Sequence, residues 1–491
     1  HMAGAVKGRK ASRHAVSDWM EMEQERGISI TSSVLQFEYR GCRLNLLDTP
    51  GHADFSEDTY RTLAAVDAAI MLIDAAKGVE ARTKRLFEVC RLRKIPVLTF
   101  VNKMDRPGLE PLDLMDEVGV TLGVKTCALQ WPIGSGPEFV GIVDRRRDNI
   151  CTLFDHENRG MGIVPSVEVS VTDPIMLEKL GEERVEELAM DIELIEEAGD
   201  EWDHEAFLAG ELTPFFFGSA MTNFGVGAFL DAIVDLSPAP LPRPAVQGFR
   251  EPTDPDFAGF IFKIQANMNP RHRDRIAFMR VVSGVFDRGM EVTLSRTGKR
   301  LRLNKPHSFM ASERAIVEDA APGDIVGLYD PGQLRIGDTL FEGDEVQFQD
   351  IPRFAPEFFM RVRLKDPTRR KQLKSGLLQL SQEGTIQLFI RPELGAADPF
   401  LGAVGMLQFE VLKERLKNEY KVNVMLEPAP FRVARWVTGD PAGLAWMADR
   451  GDYMVVEDRD GSPVVLAETA WMLEYATQQV PDMVLHDVSP L

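Results

Sequence analysis

A chain of 491 residues is too long for a single ordinary hydrophobic core, so we expect about three domains. Hydrophobic residues make up 44% and charged residues 27% of the chain, as in ordinary globular proteins. No segment reaches the ~18 apolar residues of a membrane span, and no signal-like segment opens the chain. These features favour a cytoplasmic protein without a membrane partner. The net charge of −20 argues against a protein held on nucleic acid by bulk electrostatics, so any RNA contact must be local.

The cysteines indicate neither disulfides nor a metal site. They are widely spaced, without a CxxC pattern or histidines at zinc spacing, and they are Cys42, Cys90, Cys127 and Cys151. Buried or free thiols in a reducing compartment are therefore expected.

The first predicted elements alternate between strands and helices. Residues 33–48, SVLQFEYRGCRLNLLD, are typical of a hairpin that turns at Arg40 and Gly41. The elements expected next are a helix from about Phe55 to Ala65, a strand at 67–75, a helix at about 80–93 and a strand at 96–102. This alternation predicts an α/β fold with a parallel sheet and covering helices.

Ligands of such sheets bind at the carboxyl ends of the strands. Three polar residues fall at predicted strand ends, namely Asp48, Asp74 and Asn102. We therefore expect a ligand site at this edge of the sheet.

The middle of the chain changes character twice. From Pro107 to Ala209 the strand–helix rhythm is lost, and the range ends in acidic segments that are typical of solvated helices. A further buried strand is expected at 212–220. The Pro-rich stretch SPAPLPRPAV at 237–246 predicts a stiff linker and a domain boundary.

The downstream half of the chain predicts two further folds. Short alternating runs punctuated by glycine at 257–343 are typical of a small antiparallel β-barrel. Beyond a boundary at Ile351 and Pro352, a strand, helix, strand, helix and strand indicate an α+β domain of the ferredoxin-like, split βαβ type. The remaining C-terminal residues are weakly patterned, and no internal repeat is evident.

The segment DTPGH carries residues that could sense a gamma-phosphate. Asp48 ends a strand and can hold Mg²⁺ through water, while the backbone of Gly51 can approach the phosphate across the hinge made by Thr49 and Pro50. His52 can then orient an attacking water. The alternative interpretation is a Pro–Gly turn with a surface histidine.

The segment NKMD carries residues that could select guanine. The Asp105 carboxylate can accept both N1–H and N2–H of guanine, whereas adenine would leave it unpaired. Asn102 can tie the loop to neighbouring backbone, and Lys103 can lay its methylene stem over the ring, with Met104 between them and the aspartate. NKxD by itself also occurs by chance.

Two weaker segments complete the set. Gly218, Ser219 and Ala220 match a loop whose backbone N–H approaches guanine O6, although small residues at a strand end also serve tight packing. Ser29 and Thr31 in EMEQERGISIT supply hydroxyls that could complete a Mg²⁺ shell. The alternative for this segment is an exposed helix end.

Taken in chain order, RGISIT, DTPGH, NKMD and GSA resemble the second to fifth G motifs of the translational GTPases. The resemblance implies GTP or GDP and Mg²⁺ as ligands, with nucleotide contacts from DTPGH, NKMD and GSA. It implies Ser29 and Asp48 as magnesium-side residues, Ile28 as a hydrophobic gate and His52 as the catalytic histidine. Ser29 stands where the family usually has threonine, so the hydroxyl is kept and the methyl is lost.

The order of the predicted domains resembles the elongation factor G branch of this family. The about 55 residues after Val437 are too few for the two further domains of elongation factor G, and stretches such as KIQANMNPRHRDRIAFMRVVSG resemble the bacterial class II release factors. The organisation expected from the resemblance is a G domain at 1–236 with an insertion at about 107–209, a linker at 237–255, a β-barrel domain II at 256–350, and an α+β domain III with a C-terminal extension at 351–491.

The function implied by the resemblance is that of a ribosome-dependent GTPase of translation termination. Its GTP form would promote the departure and recycling of class I peptide release factors, and sarcin–ricin RNA of the ribosome would place His52. Candidate ribosome contacts are the basic clusters Arg271–Arg275 and Arg369–Lys374, for which ordinary solvated charge is the alternative. A monomer is expected.

The 491 residues contain no GxxxxGK[ST] phosphate loop. The glycines nearest to such a pattern at the start of the chain, Gly4 and Gly8, have the wrong spacing. The family carries a strand, this P-loop and a helix just upstream of a stretch like AGAVKGRK, so we expect that segment to precede residue 1. Since the P-loop supplies much of the phosphate affinity, the 491-residue chain alone is expected to bind GTP poorly and to hydrolyse it negligibly.

Two other functions stay open at this point. One is a ribosomal-protection or elongation-type factor of the same branch, and the other is a non-hydrolysing ribosome-binding module. A strand followed by GKT in the upstream reading frame would favour the enzyme over the module.

Overall fold

The computed structural model describes residues 23, 29–155, 166–266, 275–303, 306–310, 313–349, 351–392, 395–439, 441–480 and 482–489. They form two compact units. The first unit takes in Phe37–Leu44 and Val66–Leu241, and the described part of the second takes in 23, 29–36, Asn45–Ala65 and 242–489.

Helices and strands follow one another along the chain in three stretches. Residues 33–236 form β1 (Ser33–Tyr39), β2 (Cys42–Asp48), α1 (Ser56–Leu63), β3 (Ala69–Asp74), α2 (Ala81–Leu92), β4 (Val97–Asn102), α3 (Pro111–Leu122), β5 (Lys125–Ala128), β6 (Gln130–Ile133), β7 (Gly141–Asp144), β8 (Ile150–Phe154), β9 (Ser166–Ser170), α4 (Pro174–Leu180), α5 (Glu182–Ala198), α6 (His204–Leu208), β10 (Leu212–Phe217) and α7 (Val226–Leu236). Residues 243–341 form β11 (Arg243–Ala245), β12 (Gly248–Arg250), β13 (Ala258–Ala266), β14 (Arg275–Ser283), β15 (Phe286–Asp287), β16 (Glu291–Leu294), β17 (Lys299–Arg302), β18 (Pro306–Met310), β19 (Glu313–Ile316), β20 (Asp319–Ala320), β21 (Ile325–Tyr329) and β22 (Thr339–Phe341). Residues 358–486 form β23 (Phe358–Leu364), α8 (Arg370–Glu383), β24 (Gln387–Arg391), β25 (Gly395–Ala403), α9 (Met406–Tyr420), β26 (Val424–Pro428), β27 (Val433–Gly439), α10 (Pro441–Ala448), β28 (Met454–Asp458), β29 (Pro463–Ala467), α11 (Ala470–Gln479) and β30 (Met483–His486).

The first unit is built on a four-stranded parallel sheet. Its strand order is β3-β4-β10-β5, and each neighbouring pair is parallel. Strands β4 and β10, VLTFVN and LTPFFF, are buried almost throughout, as continuous apolar runs should be when helices cover both faces. The predicted α/β sheet is therefore confirmed.

The range 107–209 contributes to two sheets of the first unit. Helix α3 leads into strand β5, which is an edge strand of the parallel sheet, whereas β6 to β9 form a separate antiparallel meander. The acidic segment that follows contains the 17-residue helix α5, which begins with Glu182 and Glu183 in its first turn. Acidic residues there favour the helix because they lie beside its unpaired N-terminal N–H groups.

The second unit contains the predicted antiparallel barrel-type sheet. Strands β13 and β14 are nine residues each, buried throughout and paired along their length. Alternate residues of β13 enter two different cores, with Phe260 and Phe262 in one and Ile261 and Ile264 in the other. A strand buried on both faces explains why the run GFIFKIQ is apolar with so little alternation.

The hairpin of β1 and β2 is paired differently from the prediction. Within the second unit, Leu35 of β1 lies opposite Met310 in the antiparallel sheet, and neither β1 nor β2 is a strand of the parallel sheet. Asp48 therefore ends an antiparallel strand, whereas Asp74 and Asn102 are register partners at the edge of the parallel sheet. The physical reason is that no residue of β2 is fully buried, which suits a strand with one covered face.

The C-terminal part of the second unit holds two modules of the same topology. The first module, β23 to β26 with α8 and α9, has the strand order β26-β23-β25-β24. The second module, β27 to β30 with α10 and α11, has the equivalent order β30-β27-β29-β28. Both are ferredoxin-like, and pairing of β24 with β28 joins them into one eight-stranded sheet.

The prediction for this region identified the ferredoxin-like type of the first module but missed its strand β25. It treated the residues of the second module as weakly patterned. The second module has helices of eight and ten residues and strands of four to seven, too short for a strong periodic signal. The two modules therefore repeat one topology.

The cysteines and the helices can be compared with what disulfides and membrane spans require. All four cysteines are free, and burial raises the pKa of Cys90 to about 12 and that of Cys127 to about 11. None of the described helices combines the length and apolar composition needed to cross a membrane.

Candidate functional site

Two loops of the first unit follow neighbouring parallel strands and are tied together by backbone hydrogen bonds. Residues 102–105 follow β4, and residues 218–220 follow β10. Met104 N donates to Gly218 O at 3.1 Å, and Gly218 N donates to Val101 O at 2.9 Å. The NKMD and GSA segments, which are 113 residues apart from Asp105 to Gly218, thus form one structure.

Asn102 is the clamp between these loops. Its Oδ1 accepts from Lys103 N at 2.8 Å and from Ala220 N at 2.9 Å. A single amide oxygen therefore holds both segments, which is the tie that the sequence predicted for this residue.

Lys103 is fixed from two directions. Its backbone has φ of +70°, and its Nζ donates to Asp74 Oδ2 at 2.6 Å. The hydrogen bond from Lys103 holds the pKa of the Asp74 carboxyl below its usual value. Asp74, which was expected from sequence only to lie at a strand end, thus orients a residue of the site.

Asp105 has the most informative environment of the group. Its side chain is 22% exposed, and its Oδ1 is buried without a hydrogen-bond partner in the described part of the chain. The Nε of Arg106 lies 4.0 Å from Oδ2. A buried acceptor without a partner is costly, so this carboxylate is prepared for a ligand that brings N–H donors.

The N–H groups of the GSA segment are already used within the chain. Gly218 N donates to Val101 O, Ser219 N to Phe224 O and Ala220 N to Asn102 Oδ1. Ser219 is fully buried, whereas Ala220 is exposed. An incoming carbonyl oxygen must therefore share the Ala220 N–H with Asn102.

Position 218 has no room for a side chain, so it requires glycine. A Cβ there would lie 2.6 Å from the ring of Phe100 and 2.6 Å from Phe224 O. Any larger residue would push apart the loop that carries Ala220.

In the second unit, the DTPGH segment forms an exposed turn. Pro50 is buried, whereas Gly51 is exposed, with no atom within 4 Å of the position that a Cβ would take. The His52 side chain is 44% exposed, its Nδ1 accepts from Asp54 N at 3.3 Å, and its ring stands edge-on to Phe55 at 6.2 Å. The imidazole is thus held by a cap and a ring contact while much of it stays accessible.

The turn is anchored to helix α9. Asp54 Oδ2 accepts from Leu407 N, 2.7 Å away in the first turn of α9. Phe55 packs with Ile30 and Val411 in a small buried cluster. Gly405 leaves room for Asp54, because a Cβ on it would collide with that carboxylate.

A buried charged group lies beneath helix α1. Asp58 Oδ2 accepts from the N–H and the hydroxyl of Ser32, each at 2.6 Å, and Lys263 Nζ lies 3.8 Å away. Burial by itself would raise the pKa of Asp58, but Lys263, Ser32 and Arg61 outweigh it and hold the pKa below its usual value. A lysine within the apolar run GFIFKIQ is the sequence signal for this group, and it was missed.

The expected magnesium-side residues lie in the second unit. Ser29 and Asp48 are both half-buried, and their oxygen atoms are the donor type that Mg²⁺ prefers. In the described residues no three His, Cys, Asp or Glu side chains converge to hold a metal. Ile28, the expected hydrophobic gate, lies outside the described residues.

The two basic clusters differ. Of the first, Arg275 is described, and it is a buried arginine whose Nε lies 2.8 Å from Asp330 Oδ2. It is therefore unsuited to ribosome contact. The second cluster opens helix α8, where Arg370, Lys371 and Lys374 are exposed.

Three family models match the chain. The elongation factor Tu GTP binding domain matches residues 1–239, elongation factor G domain 2 matches 256–343, and the class II release factor RF3 C-terminal domain matches 348–477.

Curated relatives and a solved structure agree with these matches. Peptide chain release factor 3 of Symbiobacterium thermophilum is 52% identical over 485 residues, which cover 98% of this chain and 91% of the relative. Peptide chain release factor 3 of Acaryochloris marina is 50% identical over 491 residues, which cover 100% of this chain and 91% of that relative. A crystal structure from Thermus thermophilus shares the fold, with a TM-score of 0.67 and 22% identity over 90% of this chain and 66% of that one.

Sequence motifs, fold and relatives all lead to the same assignment. The chain belongs to the peptide chain release factor 3 family, and its function is that of a GTPase in translation termination.

Proposed function

We propose that this GTPase works on the ribosome to promote dissociation and recycling of class I release factors, and that it selects guanine through Asp105. The observation that most supports guanine selection is the buried Oδ1 of Asp105, which has no hydrogen-bond partner among the described residues and lies beside the two loops that Asn102 holds together. Guanine presents N1–H and N2–H side by side, which match the two oxygens of one carboxylate.

The geometry also supports discrimination against adenine. Adenine has an acceptor at N1 and no amino group at C2, so it would leave the buried carboxylate oxygen unpaired. The remaining proposed nucleotide contacts are the Lys103 stem over the base, Met104 in the loop backbone, and the Ala220 N–H toward O6. Gly218 and Ser219 would act by holding Ala220 in place.

For the phosphate end, we propose that the turn from Asp48 to His52 senses the gamma-phosphate. Gly51 has no neighbour in the space where a Cβ would be, which allows a phosphate to approach its backbone. His52 would orient the attacking water, because its ring is held at Nδ1 and still accessible. Thr49 and the buried Pro50 would fix the turn against the strand.

The proposed metal ligands are Ser29, through its hydroxyl, and Asp48, through water. A bound Mg²⁺ neutralises phosphate charge during transfer. The described chain contributes positioning around them, since Glu23 Oε1 accepts from Ile30 N at 2.9 Å and from Thr31 N at 3.1 Å. Ile28 is proposed as the apolar gate beside His52.

Ribosome contact is proposed for the exposed cluster at Arg369–Lys374, and sarcin–ricin RNA is proposed to place His52. The net charge of −20 favours such local contacts over a broad basic surface. We propose a monomer that acts in the cytoplasm, with the domains as 1–236, 256–350 and 351–491 and a linker at 237–255.

The test is ribosome-stimulated hydrolysis of GTP and ATP by the full-length protein and its His52→Ala variant. We expect hydrolysis of GTP in preference to ATP, and a loss of roughly 100-fold or more in the variant with GDP affinity unchanged. The control is His204→Ala, a change of an exposed histidine in helix α6. Equal use of ATP, or full activity of the His52 variant, would refute the proposal.

A further inference from the structure

The second ferredoxin-like module has four neighbouring aromatic side chains at and beside its two helices, of which one is exposed, two are half-buried and one is buried. We call Trp446, Tyr453, Trp471 and Tyr475 the aromatic face. Trp471 stacks on Tyr475 with ring centres 5.6 Å apart and planes 15° apart, and Trp446 lies 6.5 Å from Tyr475 and 6.0 Å from Tyr453.

This face is packed on the core of the module, and its Trp471 is accessible. Beneath it, Met447, Leu473 and Ala476 are buried against the sheet. The Tyr453 hydroxyl donates to Met472 O at 2.8 Å, which fixes that ring. Trp471 nevertheless leaves 68% of its surface exposed, an unusual cost for so large an apolar side chain.

The face already binds one guanidinium group. The Arg450 side chain lies over the Trp446 ring, with its guanidinium carbon 4.0 Å from the ring centre. Guanidinium groups are attracted to the negative face of an indole ring, and Trp is the strongest aromatic partner for them. Trp471 offers the same chemistry with most of its surface open.

The surroundings are strongly acidic. Between residues 441 and 489 the chain has nine Asp and Glu residues and two Arg and Lys residues. Four exposed carboxylates adjoin the aromatic face in sequence, and in the part of the chain that the structure describes none of them is in an ion pair: Asp449, Asp452, Glu468 and Glu474. Glu474 is three residues from Trp471 on helix α11, so both lie on one side of the helix.

We propose that the aromatic face docks an arginine-rich polypeptide segment of a partner protein. An arginine of that segment stacks on Trp471, and its guanidinium N–H groups donate to the carboxylate of Glu474. Charge decides against nucleic acid as the occupant, because the excess of carboxylates repels phosphates. A partner rich in arginine gains from both the aromatic rings and the charge.

The test uses fluorescein-labelled 12-residue peptides and the full chain, with binding followed by fluorescence anisotropy at low salt. One peptide has four arginines separated by Gly and Ser, and its control has citrulline at the same four positions. We expect the arginine peptide to bind, Trp471→Ala to weaken it by roughly tenfold, and Glu474→Gln to weaken it by a smaller factor. The citrulline peptide should not bind.

The matched control is Phe249→Ala, which removes a 72% exposed aromatic ring elsewhere in the same unit. It should leave peptide affinity unchanged, which would show that loss of an exposed aromatic ring elsewhere does not weaken binding. Trp471→Phe should bind between wild type and Trp471→Ala. Circular dichroism is expected to show native folding for the Trp471 variants, since that side chain is exposed.

Three results would overturn the proposal. The first is equal affinity of wild type and Trp471→Ala for the arginine peptide. The second is Trp471-dependent binding of a 12-nucleotide single-stranded RNA in place of the peptide. The third is self-association in sedimentation experiments that Trp471→Ala abolishes, which would make a second copy of the chain the occupant.

Discussion

At the scale of single residues, the side chain of Asn102 holds two loops of the candidate site together. One amide oxygen accepts two backbone N–H groups from two loops that follow different strands. Losing such an acceptor leaves donors of both loops without partners.

We therefore predict that Asn102→Ala in the full-length protein weakens GDP binding by roughly 10- to 100-fold, with little change in overall stability, because the clamp lies at an exposed edge of the sheet. Fluorescent GDP titration measures the effect. Asn149→Ala is the control, since its amide bonds the exposed Glu196 away from these loops. GDP affinity unchanged in Asn102→Ala would show that the clamp is not used.

Asp398 is a second residue with a defined electrostatic role. It receives hydrogen bonds from Arg361 and Arg391, and Arg363 lies 3.7 Å away. These cations, led by the hydrogen bond from Arg361, hold the pKa of Asp398 below its usual value of 3.8. A carboxyl whose pKa is lower in the folded state stabilises the fold above its unfolded pKa, and this stabilisation is lost as pH falls through the folded pKa.

Asp398→Asn is accordingly predicted to lower the free energy of unfolding by about 2 kcal/mol at neutral pH, and by progressively less below about pH 4. Urea unfolding at several pH values measures the difference. Asp344→Asn, at an exposed carboxylate, should show no such pH dependence. A difference between Asp398→Asn and wild type that stays constant down to about pH 2 would contradict the assignment.

At the scale of elements, Gly384 shows how a helix end can be fixed by its neighbour. It ends α8 with φ of +81°, and a Cβ there would collide with the guanidinium of Arg61. That guanidinium is itself buried and paired with Glu57 at 2.5 Å. Gly461 has a similar φ of +88° but no atom within 4 Å of the Cβ position.

The two glycines form a matched pair for experiment. Gly461→Ala should cost about 1 kcal/mol of unfolding free energy, from the left-handed backbone alone. Gly384→Ala should cost about 3 kcal/mol or more, because it also displaces a buried ion pair. Equal costs in chemical denaturation would show that Arg61 moves away freely.

Elements with a continuous apolar run were predictable, and amphipathic ones were less so. The strands at 69–74, 97–102 and 212–217 lie within the ranges expected from sequence, because full burial demands an unbroken apolar segment. The hairpin of β1 and β2 was located correctly, but its partner sheet was not. Alternation shows that a strand has one covered face and does not identify what covers it.

At the scale of the whole molecule, the joined modules of the second unit are the least expected feature. Phe389 of β24 is fully buried, and its core includes Phe359 and Phe400 from the first module and Val456 and Val464 from the second. The two modules thus share a core as well as a sheet.

Phe389→Ala is predicted to destabilise both modules together, by about 3 to 5 kcal/mol. Hydrogen exchange of the full chain should show lost protection in β25 of the first module and in β29 of the second. Phe358→Ala, at a ring that is 40% exposed, serves as the control. Loss of protection confined to the first module would mean that the modules unfold independently.

The candidate site, like the fold, was predictable from the sequence in part. Asn102 and Asp105 could be found because NKxD follows a buried strand, and GSA could be found from its order in the chain. Asp74, Asp58 and Lys263 were not assigned, since their roles depend on contacts between residues 26 to 231 positions apart. Such contacts leave no local pattern in the sequence.

The most direct test of the account is the nucleotide preference of Asp105→Asn in the full-length protein. Xanthine has a carbonyl at C2 where guanine has an amino group, so an amide donor at residue 105 should favour xanthine. Competition binding is expected to show GDP weakened by roughly 100-fold and xanthosine diphosphate bound more tightly than by wild type, with wild type rejecting ADP. Unchanged GDP affinity in the variant, or equal binding of ADP and GDP by wild type, would contradict it.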